Sequence, residues 1–497
     1  MTDIIKIHKK DEVHLKVDAS PSILQELQEY FTFDVPGAKF HPLYRNKMWD
    51  GKVRLITPFT RELYIGLKDY LQKFAENNDY SFDQTAYIPI ADIVTYEEVK
   101  EFCNSLVPTS NEKRIDYRDY QLDAIYQGIK EGRKLLLSPT GSGKSLIIYS
   151  LIRWHHLRNR KQLVIVPTTS LVEQMFTDFK DYSYENKWNT DEYCYKIYGG
   201  SEKTADHDVT ISTWQSLQRL PKSFFEQFDC VYGDECHQYK AKSLSGIITK
   251  CIKTPYKIGT TGTLDGTQTH KLVLEGLFGS VYKVTTTKEL MTNKQLAELR
   301  IYCITLSYDD NTRKLLSKAD YQTEIDFLVT NSKRNTFIKN LALSRKGNTL
   351  VLFQYVEKHG KVLYEMIKEK GEESRKIFFI HGGTEAEQRE SIRAITEKEL
   401  DSIIVASYGT FSAGVNIKNL HNIIFASPSK SRIRNLQSIG RGLRISDTKT
   451  ECNLYDIGDD LSWKRRKNFT LQHLVERVKI YTSESFNYKL IEVKLNE

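Results

Sequence analysis

Residues 138–145 read Ser-Pro-Thr-Gly-Ser-Gly-Lys-Ser, and residues 233–237 read Gly-Asp-Glu-Cys-His. The first run is suited to gripping a polyphosphate. Gly141 and Gly143 let main-chain N–H groups close on phosphate oxygens, Thr140 and Ser142 complete the loop, Lys144 brings a point charge to the β- and γ-phosphates, and Ser145 offers a hydroxyl to Mg²⁺. The second run ends an apolar strand in paired carboxylates, where Asp234 holds Mg²⁺ through water and Glu235 orients and deprotonates the attacking water. Together they describe hydrolysis of ATP with Mg²⁺. A glycine turn before an ordinary helix would explain the first run alone, but not its pairing with the second. The fuller motif begins with Gly where this chain has Ser138, so the reading rests on the Gly-Ser-Gly-Lys-Ser core.

Further residues fall around this pair. Gln121, in Arg118-Asp119-Tyr120-Gln121, precedes the loop by one helix and is placed to read an adenine edge; an exposed glutamine at a helix start is the plainer alternative. Pro167, Thr168 and Thr169 leave a strand for a helix, exposing hydroxyls and N–H groups suited to a phosphodiester backbone, although helix capping explains part of this. His237 either couples the carboxylates to the rest of the molecule or satisfies a loop carbonyl. Thr261 and Thr263 end another strand and link the carboxylate loop to a second domain, or form a plain turn. Gly414 and Asn416 follow a later strand and would face both the cleft and a bound nucleic-acid strand. Gln437, Arg441 and Arg444 share one helical face, since residues three or four apart are neighbours, and suit a γ-phosphate reader; a salt-bridged surface helix is the alternative.

The elements that must position these groups follow from the apolar pattern. From Leu135 onward, short β-branched strands alternate with helix-patterned stretches, the rhythm of an α/β fold with parallel sheets wrapped by helices. Two such sets predict two doubly wound domains, 111–300 and 301–497, the latter with a helical C-terminal extension, and the nucleotide in the cleft between them. Residues 287–299 read as a helical stretch at the boundary. Residues 1–110 read as a separate small α/β domain with alternation over 4–17, a helix over 23–30 and a tight hairpin turn at Asp50-Gly51. Around that turn Tyr44, Arg45, Lys47, Trp49, Lys52 and Arg54 interleave rings and cations. Arg45 and Trp49 are candidate nucleic-acid contacts, against the alternative of a hairpin with solvated charges outside.

Composition excludes more than it selects. The net charge of +8, from 72 Lys and Arg against 64 Asp and Glu, mildly favours a polyanionic partner. Seven cysteines without a C-x-x-C pair argue against a zinc ribbon or a disulfide framework and suit a reducing cytoplasm. No signal-peptide core or membrane-length apolar run is present, so no membrane partner is expected.

In order, Arg-Asp-Tyr-Gln, the phosphate loop, Pro-Thr-Thr-Ser, Asp-Glu-Cys-His, Thr-Gly-Thr, Ser-Ala-Gly-Val-Asn and Gln-x-x-Gly-Arg-x-x-Arg resemble the motif series of superfamily 2 DExH-box helicases over residues 113–458. That resemblance implies two RecA-like domains, ATP with Mg²⁺ and translocation along nucleic acid. More narrowly, Asn-Lys-Met-Trp-Asp-Gly-Lys-Val-Arg-Leu and Tyr-Gly-Thr-Phe-Ser-Ala-Gly-Val-Asn-Ile-Lys-Asn-Leu resemble the UvsW-type branch-migrating helicases of tailed phages. This implies branched or forked DNA as partner, roles in recombination, repair and replication, and a host-cell cytoplasmic setting. Thr-Gly-Thr stands where many relatives have Ser-Ala-Thr or Thr-Ala-Thr, and Asn416 where many have Asp. RNA unwinding, or an ATP-gated clamp without net movement, remain open alternatives, because backbone-tracking contacts leave no short signature that separates DNA from RNA.

Overall fold

A computed structural model describes residues 3–495 apart from 88–91, 239–240, 265, 373, 415–416, 418, 428–430, 432–435, 437, 441 and 444–448. The chain folds as two compact units, the first running to Thr285 apart from Pro139–Gly141 and the second beginning at Thr286.

The first unit opens with β1 (Ile4–Lys9), β2 (His14–Asp18), β3 (Thr32–Asp34), β4 (Lys52–Arg54), β5 (Glu62–Tyr64) and β6 (Ser81–Ala86). Four of them form a sheet in the order β5-β2-β1-β6, while β3 and β4 pair separately. Alternation in β2 buries Leu15 and Val17 beside Ile5, Ile23, Leu27 and Leu71, giving this region its own core. It nevertheless belongs to the same compact unit as the next sheet. Gly66 explains the closeness: a Cβ there would lie 1.9 Å from the Glu275 carbonyl oxygen. Tyr70 donates to Glu275 Oε2 at 2.8 Å. The buried Lys257 ammonium donates to the carbonyls of Glu12 at 2.8 Å and Cys251 at 3.0 Å, and to that of Thr254.

The tight Asp50-Gly51 hairpin is not formed. Strands β3 and β4 pair with Asp34 opposite Lys52, so their connection is the long segment 35–51, which contains the helical turns Ala38–Phe40 and Pro42–Arg45. Gly51 does take a left-handed φ of +80°, but at the entry to β4, where a Cβ would press on the Tyr44 ring at 3.0 Å. Local turn propensity was outweighed by the register that packs Tyr44 over Gly51.

The short pair β7 (Thr109–Ser110) and β8 (Lys113–Arg114) leads to α1 (Asp119–Glu131) and the main sheet. Its strands are β9 (Arg133–Leu137), β10 (Gln162–Val166), β11 (Cys194–Ile197), β12 (Val209–Thr213), β13 (Cys230–Gly233), β14 (Tyr256–Thr261) and β15 (Val281–Lys283). They run parallel in the order β11-β12-β10-β13-β14-β9-β15. Strands such as Gln-Leu-Val-Ile-Val are buried throughout, as expected where helices cover both faces. Helix α2 (Lys144–His156) follows β9, and α3 (Thr169–Tyr182) follows β10. Strand β14 lies between β9 and β13, so the phosphate loop and the carboxylates emerge on either side of its end.

The second unit carries β16 (Glu298–Ser307), β17 (Thr349–Phe353), β18 (Ile377–Ile380), β19 (Ile403–Ser407), β20 (Asn422–Phe425), β21 (Glu451–Asp460) and β22 (Tyr488–Lys494). These also form one parallel sheet, ordered β18-β19-β17-β20-β21-β16-β22. Two fully buried ion pairs, Arg334–Asp459 at 2.8 Å and Arg477–Asp456 at 2.7 Å, tie helices to β21. The helix at the unit's start covers only Thr287–Thr292, because β16 begins at Glu298. Among the described residues no helix is long and apolar enough to cross a membrane.

Candidate nucleotide site

Strand β9 ends at Leu137, α2 begins at Lys144, and the phosphate loop is the turn between them. Gly141 and Gly143 both have left-handed φ, +86° and +83°. At Gly143 there is a second constraint, since a Cβ would lie 2.3 Å from Gln121 Nε2. Gln121 is buried; its Nε2 donates to the Ser142 carbonyl at 2.8 Å and its Oε1 accepts from the Arg118 N–H at 3.0 Å. Its amide therefore holds the loop's main chain in this arrangement. Ser138 and Ser142 pair their hydroxyls at 2.6 Å across the loop. The Ser145 hydroxyl lies 2.7 Å from that of Tyr182, the last residue of α3. Thr140 is half-buried beside Gly141.

Asp234 and Glu235 follow β13. Asp234 Oδ1 accepts from Thr260 Oγ1 at 2.6 Å and from the Glu235 N–H at 2.9 Å. Burial, and then the neighbouring Glu235 charge, push the Asp234 carboxyl up to about 6, while Lys144 and Thr260 pull the other way. Glu235 has a left-handed φ of +49°, an uncommon conformation for a residue with a side chain and one found at functional sites. Its Oε1 lies 3.0 Å from Lys144 Nζ, which joins the carboxylate motif to the phosphate loop directly.

A second line runs from Glu235 towards β14. His237 Nδ1 is 3.4 Å from Glu235 Oε2 and 2.7 Å from Thr261 Oγ1. Thr261 donates its single hydroxyl proton to the Thr263 carbonyl at 2.8 Å, so towards His237 it must accept, which assigns the proton to Nδ1. Burial holds this imidazole down, at about 4, and hence neutral near pH 7. Thr263 closes the line with its N–H on Thr261 Oγ1 at 3.4 Å. Sequence reasoning selected Thr261 and Thr263 but missed Thr260, the residue that holds Asp234. Parallel pairing of Gly233 with Gly259 is the signal that would have placed Thr260 beside Asp234. Tyr182, distant in sequence from the loop it supports, carried no such signal.

The other expected residues divide. Pro167 accepts from Gln215 Nε2 at 3.2 Å, Thr168 caps α3 through the Leu171 N–H at 3.3 Å, and Thr169 is exposed at the helix start. Arg45 is exposed, whereas the Trp49 indole N–H donates to the Lys52 carbonyl at 2.8 Å. Gly414 ends the helix Tyr408–Gly414 after β19. Asn416, Gln437, Arg441 and Arg444 lie outside the described residues.

Comparison with known proteins agrees with this arrangement. Residues 3–84 match the family described as DNA helicase UvsW, N-terminal; residues 114–266 match the type III restriction enzyme res subunit; and residues 332–446 match the helicase conserved C-terminal domain. The ATP-dependent DNA helicase uvsW of Enterobacteria phage T4 is 35% identical over 99% of this chain and 100% of its own length. This chain belongs to the UvsW family of superfamily 2 helicases. The crystal structure of T4 UvsW aligns over 100% of both chains with 34% identity and a TM-score of 0.53. More distantly, the DNA 3'-5' translocase XPB2 of Sulfurisphaera tokodaii is 22% identical over 67% of this chain and 80% of its own. The two seven-stranded parallel sheets are the RecA-like domains of this UvsW-family member, and its additional N-terminal sheet coincides with the family's N-terminal region.

Proposed function

We propose that the protein is an ATP-dependent DNA helicase that remodels branched DNA, moving four-way junctions and regressing stalled forks in recombination, repair and replication. The chain of contacts Lys144–Glu235–His237–Thr261, which ties the phosphate loop to the carboxylates and the carboxylates to the end of β14, supports the ATP-hydrolysing part of this reading, and the 35% identity to the ATP-dependent DNA helicase uvsW of phage T4 supports its DNA-helicase part. A polyphosphate entering the loop competes with Glu235 for Lys144. Glu235 is then released to take the proton of an attacking water, and His237 transmits the change to the Thr261–Thr263 turn. Ser145 and Asp234 are the residues that would hold Mg²⁺. One carboxylate and one hydroxyl suit that ion, which keeps several waters and phosphate oxygens as ligands, and the burial of Asp234 makes a cation there favourable. The bound Mg²⁺–ATP supplies the cleavable γ-phosphate. Arg441 and Arg444, with Gln437, would sense that phosphate from the second domain, and Gly414 and Asn416 would track the strand with Pro167, Thr168 and Thr169. Gln121 anchors the loop, and contact with adenine would need one of its two main-chain bonds to be released.

Branch migration suits such a motor energetically. Base pairs broken ahead are re-formed behind, so the exchange is nearly balanced, whereas plain unwinding loses about 1.4 kcal/mol of stacking per step. The test is a substrate panel of single-stranded, duplex, forked and four-way DNA with matched RNA, scored for ATP turnover and product together. DNA should stimulate turnover, and forks and junctions should be converted. Turnover with DNA that leaves every branched substrate intact would refute the reading, and equal conversion of RNA substrates would replace it with an RNA helicase. Glu235→Gln should keep nucleotide binding while lowering turnover by about 10²-fold or more, whereas Lys144→Ala should weaken nucleotide binding itself.

A further inference from the structure

The connection 35–51 between β3 and β4 is long for strands so short, and loops of such length without a structural reason commonly carry function. Every residue from Lys39 to Met48 is exposed, including Phe40 at 67%, Leu43 at 43% and Met48 at 73%. Three large apolar side chains exposed within one surface loop offer apolar area for a partner to cover.

The loop is nonetheless held in shape from within. The Val35 N–H donates to the Gly51 carbonyl at 2.8 Å, and the Met48 N–H to that of Leu43 at 2.8 Å. The Trp49 indole donates to the Lys52 carbonyl at 2.8 Å while its ring meets His41 edge-on at 5.5 Å. Tyr44 packs over Gly51. Trp49 and one edge of the Tyr44 ring, itself 41% exposed, thus shape the loop, while Phe40, Leu43 and Met48 are left exposed.

The charge along the loop is mostly positive, with Asp34 facing Lys52 across the strand pair. From Gly37 to Arg54 the chain carries Lys39, Arg45, Lys47, Lys52 and Arg54, and its single acid, Asp50, is taken by Arg54 at 2.5 Å. Lys39 sits over the Phe40 ring at 5.2 Å from its centroid. A partner must therefore offer a flat apolar surface bordered by negative charge. A continuous duplex offers phosphates and groove edges but hides its base faces in the stack. At a branch point the last base pair of each arm exposes its face, and phosphates flank it closely.

We propose that the loop 35–51 is a branch-point platform, with Phe40, Leu43 and Met48 stacked against the terminal base pair of an open arm and Lys39, Arg45, Lys47 and Lys52 meeting the neighbouring phosphates. The inference rests on the DNA-remodelling reading above and assigns the preference for branched DNA to this loop.

The experiment measures binding of the full-length protein to a four-way junction, a linear duplex and a single strand by fluorescence anisotropy, with 2-aminopurine at the branch point in a parallel series. The variants are Phe40→Ser/Met48→Ser and the conservative Phe40→Trp/Met48→Leu, each checked for an unchanged thermal unfolding profile. Loss of stacking should lower the junction-to-duplex affinity ratio about tenfold in the serine variant, with the salt dependence preserved because no phosphate contact is removed. The conservative variant should keep the ratio, and the 2-aminopurine response at the branch should vanish only with serine. An unchanged ratio overturns the proposal. So does an equal loss of single-strand affinity, which would make the loop a general base stacker, or a wild-type preference for anionic phosphatidylserine vesicles that the serine variant loses. Failure of the helicase reading is distinguishable, since it would appear in the wild type as absent DNA-stimulated turnover.

Discussion

Tyr182→Phe isolates one contact of the candidate site. The hydroxyls of Ser145 and Tyr182 lie 2.7 Å apart, and the Tyr182 ring also packs on Tyr149 with centroids 5.4 Å apart, a contact that phenylalanine retains. A serine that offers a lone pair to Mg²⁺ must direct its only proton elsewhere, and Tyr182 is the acceptor in place. Removing that acceptor frees the Ser145 rotor. Losses of groups that orient a metal ligand cost roughly 10–100-fold in metal affinity. The lower end applies where phosphates and waters supply most ligands, so the expected change is about tenfold, or about 1.4 kcal/mol. The assay is ATP turnover against free Mg²⁺ at saturating ATP and DNA, with ADP binding in the presence of EDTA as the metal-free control. Half-saturating Mg²⁺ should rise about tenfold, turnover at excess Mg²⁺ should stay within about twofold of wild type, and metal-free ADP binding should be unchanged. An unmoved half-saturation with reduced turnover would refute the reasoning, because it would mean that Tyr182 acts on something other than the metal ligand.

Other perturbations probe the scaffold. Lys257→Met leaves the carbonyls of Glu12, Cys251 and Thr254 without their shared donor, and should destabilise the first unit by about 3 kcal/mol in urea denaturation followed by tryptophan fluorescence. Gly143→Ala sets a methyl against Gln121 Nε2 at a φ of +83°, and should weaken ATP binding about tenfold; Gln121→Ala added to it should recover part of that loss, measured by equilibrium titration with a fluorescent nucleotide. Burial first, and then Arg160 and Arg334 respectively, lower the imidazoles of His155 and His359 from 6.5 to about 3. Below pH 6.5 the unfolded chain takes up protons that the folded chain refuses, so this stability is complete above that pH and is lost as pH falls towards 3. The slope is about 1.4 kcal/mol per pH unit for each histidine, and His155→Gln should flatten it in denaturation series between pH 7 and 5.

The parts legible in the sequence were those whose signal is local. Thr349–Phe353 and Ile403–Ser407 announced themselves as buried β-branched runs, and Leu135 through Tyr149 as a strand, a glycine turn and a helix. Lys144, Asp234 and Glu235 stand out in the sequence by residue type at fixed spacing, and the structure brings Lys144 within 3.0 Å of Glu235. What stayed hidden depends on tertiary register. Thr260 reaches Asp234 only because β14 inserts between β9 and β13, and Tyr182 reaches Ser145 only because α3 lies along α2. The Asp50-Gly51 dipeptide misled for the converse reason: its turn chemistry is real at Gly51, but strand pairing had already been decided by Asp34 and Lys52 farther out.

Ser138 shows why a departure from a motif need not alter its chemistry. Glycine is required where the backbone turns left-handed or where another group comes too near for a Cβ, and both conditions hold at Gly143. Neither holds at Ser138, which is absent from the left-handed residues and fully buried, with its N–H donating to the Thr261 carbonyl at 2.8 Å. Its side chain fills space that glycine would leave empty and closes the loop through Ser142. The hydroxyl pair bridges the first and fifth residues of the loop. Serine at this position therefore adds a hydroxyl contact across the turn, and the departure leaves the residues proposed to grip phosphate, Gly141, Gly143 and Lys144, as the motif has them.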